Sequence, residues 1–495
     1  MKRRQALALL ASSTPAWAQS RKKKAAPLPP PSAASMAVAA EFGADIDLAG
    51  EILGTLHPGL LRYNSQLQID AGMTSLKRAF AGTHDLSQRY LLLSRFLAAL
   101  KCSRSYANFD HQRPEVARAL FDRRSRLPFS MRWVGEGMFV ASDHDPLPRG
   151  TQIGAINGVP ARTMLAALLP YAPADGGNHA QRRSLLNLRG TTRLESFDVF
   201  HGLVYGEPPG GIFRLDVRTP DGRISTTEVP ALTMDERHAQ VPTFEPDAPR
   251  WDWRIDEANA LALLTMPTWA LHDSRWDWRA WLTDKLDALA ADAALKGLVV
   301  DLRGNEGGLD CGDPILERFL KADSVRPVRR LVRYQKTPEH LNRHLDGADP
   351  SARDWGAKAR AFDSRFFALT PTDNVVKPAG ARIDNKALVV LIDATNGGST
   401  FTFVQRVKAS GVGKLVGEAS GGNQRGINDG AFFLVRLPAS GLEFDLPLIG
   451  TFPLQLQPAP DAGIEPDVKV DVSAVDLATG IDAQRERALA LARGG

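Results

Sequence analysis

Two glycine-rich stretches carry the residues best suited to chemistry. The first, "VVDLRGNEGG" (Val299 to Gly308), is an apolar run that ends near Arg303 in a loop holding Gly304, Gly307 and Gly308. Glycines permit a tight turn with exposed backbone N–H groups. Such groups cradle an anion or stabilise an oxyanion, although an ordinary strand-to-helix turn uses the same residues. The spacing is neither G-x-G-x-x-G nor a Walker loop, which argues against nucleotide binding. The second stretch, "ALVVLIDATNGGSTF" (Ala387 to Phe401), sets Ser399 between an apolar run and an apolar-periodic segment. A hydroxyl there is either a loop nucleophile or the N-cap of the following helix. Both roles stay open, because a helix N-terminus also favours developing negative charge.

Other polar residues are weaker candidates. Arg104 cannot act as a base at neutral pH, since its pKa lies above ~12. It can bind a carboxylate, such as a peptide C-terminus, through its planar fork, or serve as a surface or ion-paired arginine. His111 follows it closely in sequence. His57 precedes Pro58, which suits a helix start. Cys102 and Cys311 each flank one of the motifs, but a cysteine hydrolase is the weaker reading of them. A disulfide between them, or two buried thiols, is the expectation, and they form no zinc-ligand cluster. The tryptophans of "WDWRID" and "RWDWRAW" suit a core or an interface, with a substrate platform as the sharper alternative.

These residues need elements to position them. Residues from about 40 to 120 space their apolar side chains at three and four, as in "SQRYLLLSRFLAALK", and read as helices. Strand-like pieces follow, with an Asn157-Gly158 turn before the helix "ARTMLAALLPY" and an Asp221-Gly222 hairpin turn. From Trp251 onward strands alternate with helices, which implies an α/β unit with a mainly parallel sheet. Ligands in such sheets bind beyond the carboxyl ends of the strands, where both glycine loops fall.

The combination "VVDLRGNEGG", "ALVVLIDATNGGSTF", "LVGEASGGN" and "GIEPDV" (Gly463 to Val468) resembles the tail-specific, or C-terminal processing, serine peptidases, and in particular the tricorn-core-like branch. The likeness in order and spacing runs from about Trp251 to Val472. "PRGTQIGAINGVPA" is similar to the PDZ-like element of many such enzymes, and the helices ending in "KCSRSYANF" are similar to the region preceding it in the tricorn-like branch. The resemblance implies amide hydrolysis by a serine alkoxide, with Gly307 and Gly308 as oxyanion-hole donors and no metal or cofactor. It also exposes departures. The nucleophile position, 19 residues before Gly417, falls on Gly398, so Ser399 is one place late. The lysine of one branch would fall at Asn423 or Gln424, and the histidine of the other falls on Arg104. A supporting acid would lie near Pro460 or Asp461.

The start of the chain, "MKRRQALALLASSTPAWAQS", has a charged n-region, an apolar run and a small-x-small pattern ending at Ala18, the layout of an export signal. A disordered basic tail is the plainer alternative. Paired arginines hint weakly at the twin-arginine route. The chain has 495 residues and a formal charge of +5. Losing Lys2, Arg3 and Arg4 lowers that to +2, and setting aside Arg21 and Lys22 to Lys24 brings it to −2. The remainder is near neutral, which disfavours nucleic acid as a partner. No apolar run reaches the ~18 residues of a membrane span.

The sequence therefore predicts an α/β fold with a mainly parallel, ClpP/crotonase-like peptidase sheet, an N-terminal helical region and a β-rich PDZ-like segment. The expected division is a signal peptide over 1–18, a flexible linker over 19–40, the helical region over 41–125, the β-rich PDZ-like region over 126–245 and the peptidase domain over 246–480. The expected activity is serine-type peptidase action on peptides or unfolded chain ends. Ser399 is the candidate nucleophile, Gly307 and Gly308 form the oxyanion hole, and Arg104 is a substrate-binding group. The expected location is periplasmic or extracellular, without stable membrane insertion. The alternative is a catalytically degenerate, non-enzymatic peptide-binding protein on the same scaffold.

Overall fold

A computed structural model describes residues 33–347, 349–370, 375–454 and 459–494. The export signal and most of the expected linker lie outside the described residues. The first helix, Ala33–Leu56, already covers 33–40, so the expected linker is helical there. Helices Gln66–Gly82, Leu86–Ala99 and Pro114–Phe121 follow. Ser65 and Asp85 cap two of them through backbone N–H groups, which satisfies donors that a helix start leaves unpaired.

The middle of the chain forms an antiparallel sheet in the order Met131–Val134, Gly137–Val140, Gln152–Ile156, Ile212–Arg218 and Ile224–Pro230. The short strand Val159–Pro160 pairs with Gln152–Ile156 across the expected turn. Asn157 and Gly158 there have φ of 50° and 79°, the left-handed pair that a tight hairpin requires.

The sheet that carries the site runs Val468–Lys469, Lys414–Gly417, Ala387–Ile392, Gly297–Asp301, Leu261–Thr265, Asp252–Asp256. All neighbours are parallel except the last hairpin. Its central strands, "LVVLI" and "GLVVD", are apolar almost throughout, because both faces are covered. On one face Val300 and Val390 pack with Leu286, Ile315, Phe403 and Val404 of three helices. On the other, Val299, Val389 and Leu391 meet Ala488 and Ala492 of the C-terminal helix. The mainly parallel α/β sheet expected from the sequence is thus present.

A further antiparallel sheet was not foreseen. Its long strands Asn428–Arg436 and Glu443–Pro453 pair with each other and are flanked by Leu345–Asp346, Val328–Val332, Phe367–Leu369 and Ala359–Ala361. Phe433, Phe444 and Leu446 share one core with Ile52, Leu56 and Leu97 of the N-terminal helices. This packing brings the Arg104 segment to the sheet that carries Ser399.

Candidate functional site

The parallel strands Gly297–Asp301 and Ala387–Ile392 end side by side, so the two glycine loops meet. Buried asparagines lock them. Asn305 donates to the Met266 carbonyl and accepts from the Gly307 N–H at 3.0 Å. Asn396 donates to the carbonyls of Leu302 and Asn305 and accepts from the Asp393 N–H. Thr400 adds a hydroxyl bond to the Asn305 carbonyl. Below them, Arg303 ties Asp301 to Asp482 and Gln484 at the C-terminal helix. Buried polar groups need such partners. Gly308 is obligatory, since a Cβ there would stand 2.0 Å from the Trp269 carbonyl oxygen.

Ser399 is the second residue of the helix Gly398–Ser410. Gly397 occupies the N-cap position and no side chain caps this helix, so the N-cap reading of Ser399 is corrected. Its hydroxyl instead accepts the Gly308 N–H at 2.9 Å. The serine therefore reaches the expected oxyanion loop, but as the group that occupies it. The Gly307 N–H is already taken by Asn305. Among the described residues Ser399 has no basic hydrogen-bond partner.

Gly398 has φ of +52° and is buried. It keeps the sharp, strained strand-to-helix turn on which nucleophiles commonly sit. A Cβ built on it points at Arg104, 2.8 Å from the nearer terminal nitrogen, Nη2. A Cβ on Gly307 would lie 3.3 Å from the same nitrogen and 3.1 Å from the Ser399 backbone nitrogen. The guanidinium thus fills the space left by two absent side chains. Its bond is to the Glu306 carbonyl oxygen, and no carboxylate among the described residues pairs with it.

Arg104 is held by its neighbours in sequence. Ser103 donates through its N–H and hydroxyl to Asp175, at 3.0 and 2.6 Å, and burial raises the Asp175 pKa. Tyr90 bonds the Ala107 carbonyl. The Asp445 N–H bonds the Tyr106 carbonyl, and Gln112 exchanges two bonds with the Glu443 backbone.

The remaining candidates lie elsewhere. His57 follows the end of the first helix, which corrects the helix-start expectation. It is buried, its Nδ1 accepts the Gly59 N–H, and Nε2 lies 2.9 Å from the Ser105 hydroxyl. Nε2 therefore carries the proton and donates to Ser105. Burial and the nearby Arg62 charge lower its pKa to about 3, so this pair is a neutral core contact. His111 sits against Asp445 and Asn108. Cys102 and Cys311 are separate buried thiols with no disulfide. Trp251, Trp276 and Trp281 stack edge to face in the core of the parallel sheet.

Asn423 and Asp461, reached from two different peptidase patterns, do meet. Asn423 donates to Asp461 at 2.7 Å, and the Gly177 N–H bonds the same carboxylate oxygen. With no lysine at 423, the acid ties loops together. Sequence reasoning gave Asn305 and Asn396 no role. The asparagine inside "DLRGNEGG" was the available signal.

Residues 260–470 match the model of Peptidase family S41. No curated protein sequence matches the chain. Among solved structures, a CPAF mutant superposes with a TM-score of 0.62 at 13% identity, covering 92% of this chain and 97% of the other. Mature CPAF complexed with lactacystin superposes at 0.60 and 12% identity, covering 92% and 98%. At these identities the likeness is one of fold.

Proposed function

We propose that the chain, whose residues 260–470 match the model of Peptidase family S41, is a peptide-binding protein on a serine peptidase scaffold whose hydrolytic pair has been replaced. One observation carries this reading. The family pattern would put the nucleophile at Gly398 and its base at Arg104, and these two residues face each other at 2.8 Å from an ideal Cβ to Nη2. A serine peptidase needs a hydroxyl with a base in hydrogen-bond reach. Glycine has no hydroxyl, and the guanidinium cannot accept a proton.

Ser399 favours a second reading, a peptidase whose nucleophile has shifted by one residue, because its hydroxyl reaches the Gly308 N–H. That contact argues equally against it. The hydroxyl uses the donor that an oxyanion would need, and losing one such donor costs on the order of a hundredfold in rate.

The test is labelling of the purified full chain with a serine-directed fluorophosphonate, beside cleavage of unstructured peptides. The expected outcome is neither labelling nor cleavage by the wild type. Gly398→Ser with Arg104→His is expected to gain labelling, whereas Gly398→Ser alone should stay inert. Labelling and cleavage by the wild type, both abolished by Ser399→Ala, would sink the proposal in favour of the shifted nucleophile.

A further inference from the structure

Deepening that reading and resting on it, we infer that the site around Arg104 recognises a carboxylate of the bound peptide. Three donor-bearing groups from separate parts of the chain converge there. Arg104 comes from the N-terminal segment, the Gly308 N–H from one glycine loop, and the Ser399 hydroxyl from the other. Ideal Cβ positions on Gly398 and Gly307 lie 2.8 and 3.3 Å from the same Arg104 nitrogen. The guanidinium therefore stands against both glycine loops, beside the place of the expected nucleophile.

Among the described residues no carboxylate hydrogen-bonds or ion-pairs with it. Its hydrogen bond goes to a neutral carbonyl. Two acids feel its charge without bonding to it: Asp175, which is buried and held by Ser103, and Asp429, which is shared with Arg326 and Arg330 and lies near Asp310. Burial raises the pKa of both acids, which opposes their ionisation. An arginine with no ion-pair partner presents a fork that matches a carboxylate in shape and charge. The Gly308 N–H becomes a further donor once Ser399 swings away, and the freed hydroxyl can then donate as well.

A free C-terminus and an Asp or Glu side chain present the same chemistry, and labelled peptides separate them. One unstructured peptide without acidic residues is made with a free C-terminus and again as the C-terminal amide. A third form is amidated but carries one Glu. Affinities for the full chain are read by fluorescence anisotropy. A charge-assisted pair predicts that a carboxylate-bearing form binds about tenfold tighter or more than the neutral amide. If only the free C-terminus gains, the α-carboxylate is the source; if the Glu form gains, a side chain serves.

Arg104→Ala should equalise the forms, and Arg104→Lys, which keeps the charge without the fork, should retain part of the preference. Gly398→Ala, which crowds Nη2, should weaken it. Equal binding of all three peptides by the wild type, or a preference untouched by Arg104→Ala, overturns the carboxylate inference while peptide binding stands. Cleavage of the peptides overturns the non-hydrolytic reading instead, and no binding of any form overturns both.

Discussion

At the scale of single residues, the site turns on what stands at two positions. Counting back from Gly417 reaches Gly398 from sequence alone, and the "SRSY" string reaches Arg104. That the two face each other was not legible, because the contact joins residues nearly three hundred positions apart through a fold. The direction of the Ser399 hydroxyl was equally hidden, since a rotamer depends on where the Gly308 N–H lies. The facing pair makes a testable coupling. Gly398→Ala places a methyl group 2.8 Å from the guanidinium at a φ of +52°, and the left-handed backbone alone costs about 1–2 kcal/mol. Arg104→Ala removes the clash but not the backbone strain. A double-mutant cycle by urea denaturation should therefore show Gly398→Ala milder in the Arg104→Ala background, with coupling of about 0.5–1.5 kcal/mol. Full additivity would show that the guanidinium moves aside freely. At Gly308 no such relief exists, because the obstacle is the Trp269 backbone. Gly308→Ala is expected to destabilise by about 2 kcal/mol or more, read in the same denaturation experiment.

At the scale of elements, periodicity found what is locally encoded. The parallel strands announce themselves as short apolar runs ending in glycine loops, and the Asn157-Gly158 turn has its own chemistry. The antiparallel sheet around Asn428–Arg436 and Glu443–Pro453 escaped because "EFDLPLIGTFP" does not alternate. Its residues are buried on both sides, from Glu443 through Thr451, and Pro447, Gly450 and Pro453 punctuate it. The Arg104 segment docks on this strand, and His111 supplies a pH-dependent part of that contact. Its pKa is raised mainly by the hydrogen bond to Asp445, with Asp110 and Glu443 adding to it and burial opposing. A raised folded-state pKa means that the charged form prefers the folded chain. Its contribution is fully present below the unfolded value of about 6.5 and is lost as pH rises through the folded value. Wild type should thus be more stable than His111→Gln near pH 5.5, and the difference should shrink with rising pH. A difference that stays constant from pH 5 to 9 would remove His111 as the titrating group.

At the scale of the whole molecule, the cores do not follow the boundaries that the pattern of elements suggests. The segment matched to the peptidase family begins at residue 260, and the alternation of strands with helices put the start of that unit at 246. Yet Phe433, Phe444, Leu446 and Leu448, all C-terminal to that point, bury against Ile52, Leu56, Tyr90 and Leu97. Cross-links of other kinds follow the same path. Asp45 accepts from the Ala439 and Ser440 N–H groups, and Asn428 reaches Cys102. Without residues 33–125, those aromatic and aliphatic side chains would face water, at roughly 1.5–3 kcal/mol for each one fully exposed. A domain has only about 5–15 kcal/mol of net stability, so a few such losses suffice to unfold it. A fragment spanning 246–495 is therefore expected to lack a cooperative thermal transition and to be cut rapidly by protease. The full chain should melt as one unit, with Leu56→Ala lowering stability by about 2–5 kcal/mol. The comparison is made by circular dichroism melting and limited proteolysis. A fragment that unfolds cooperatively within a few degrees of the full chain would show that the N-terminal helices only deliver Arg104 to the site and do not hold the sheet beneath it.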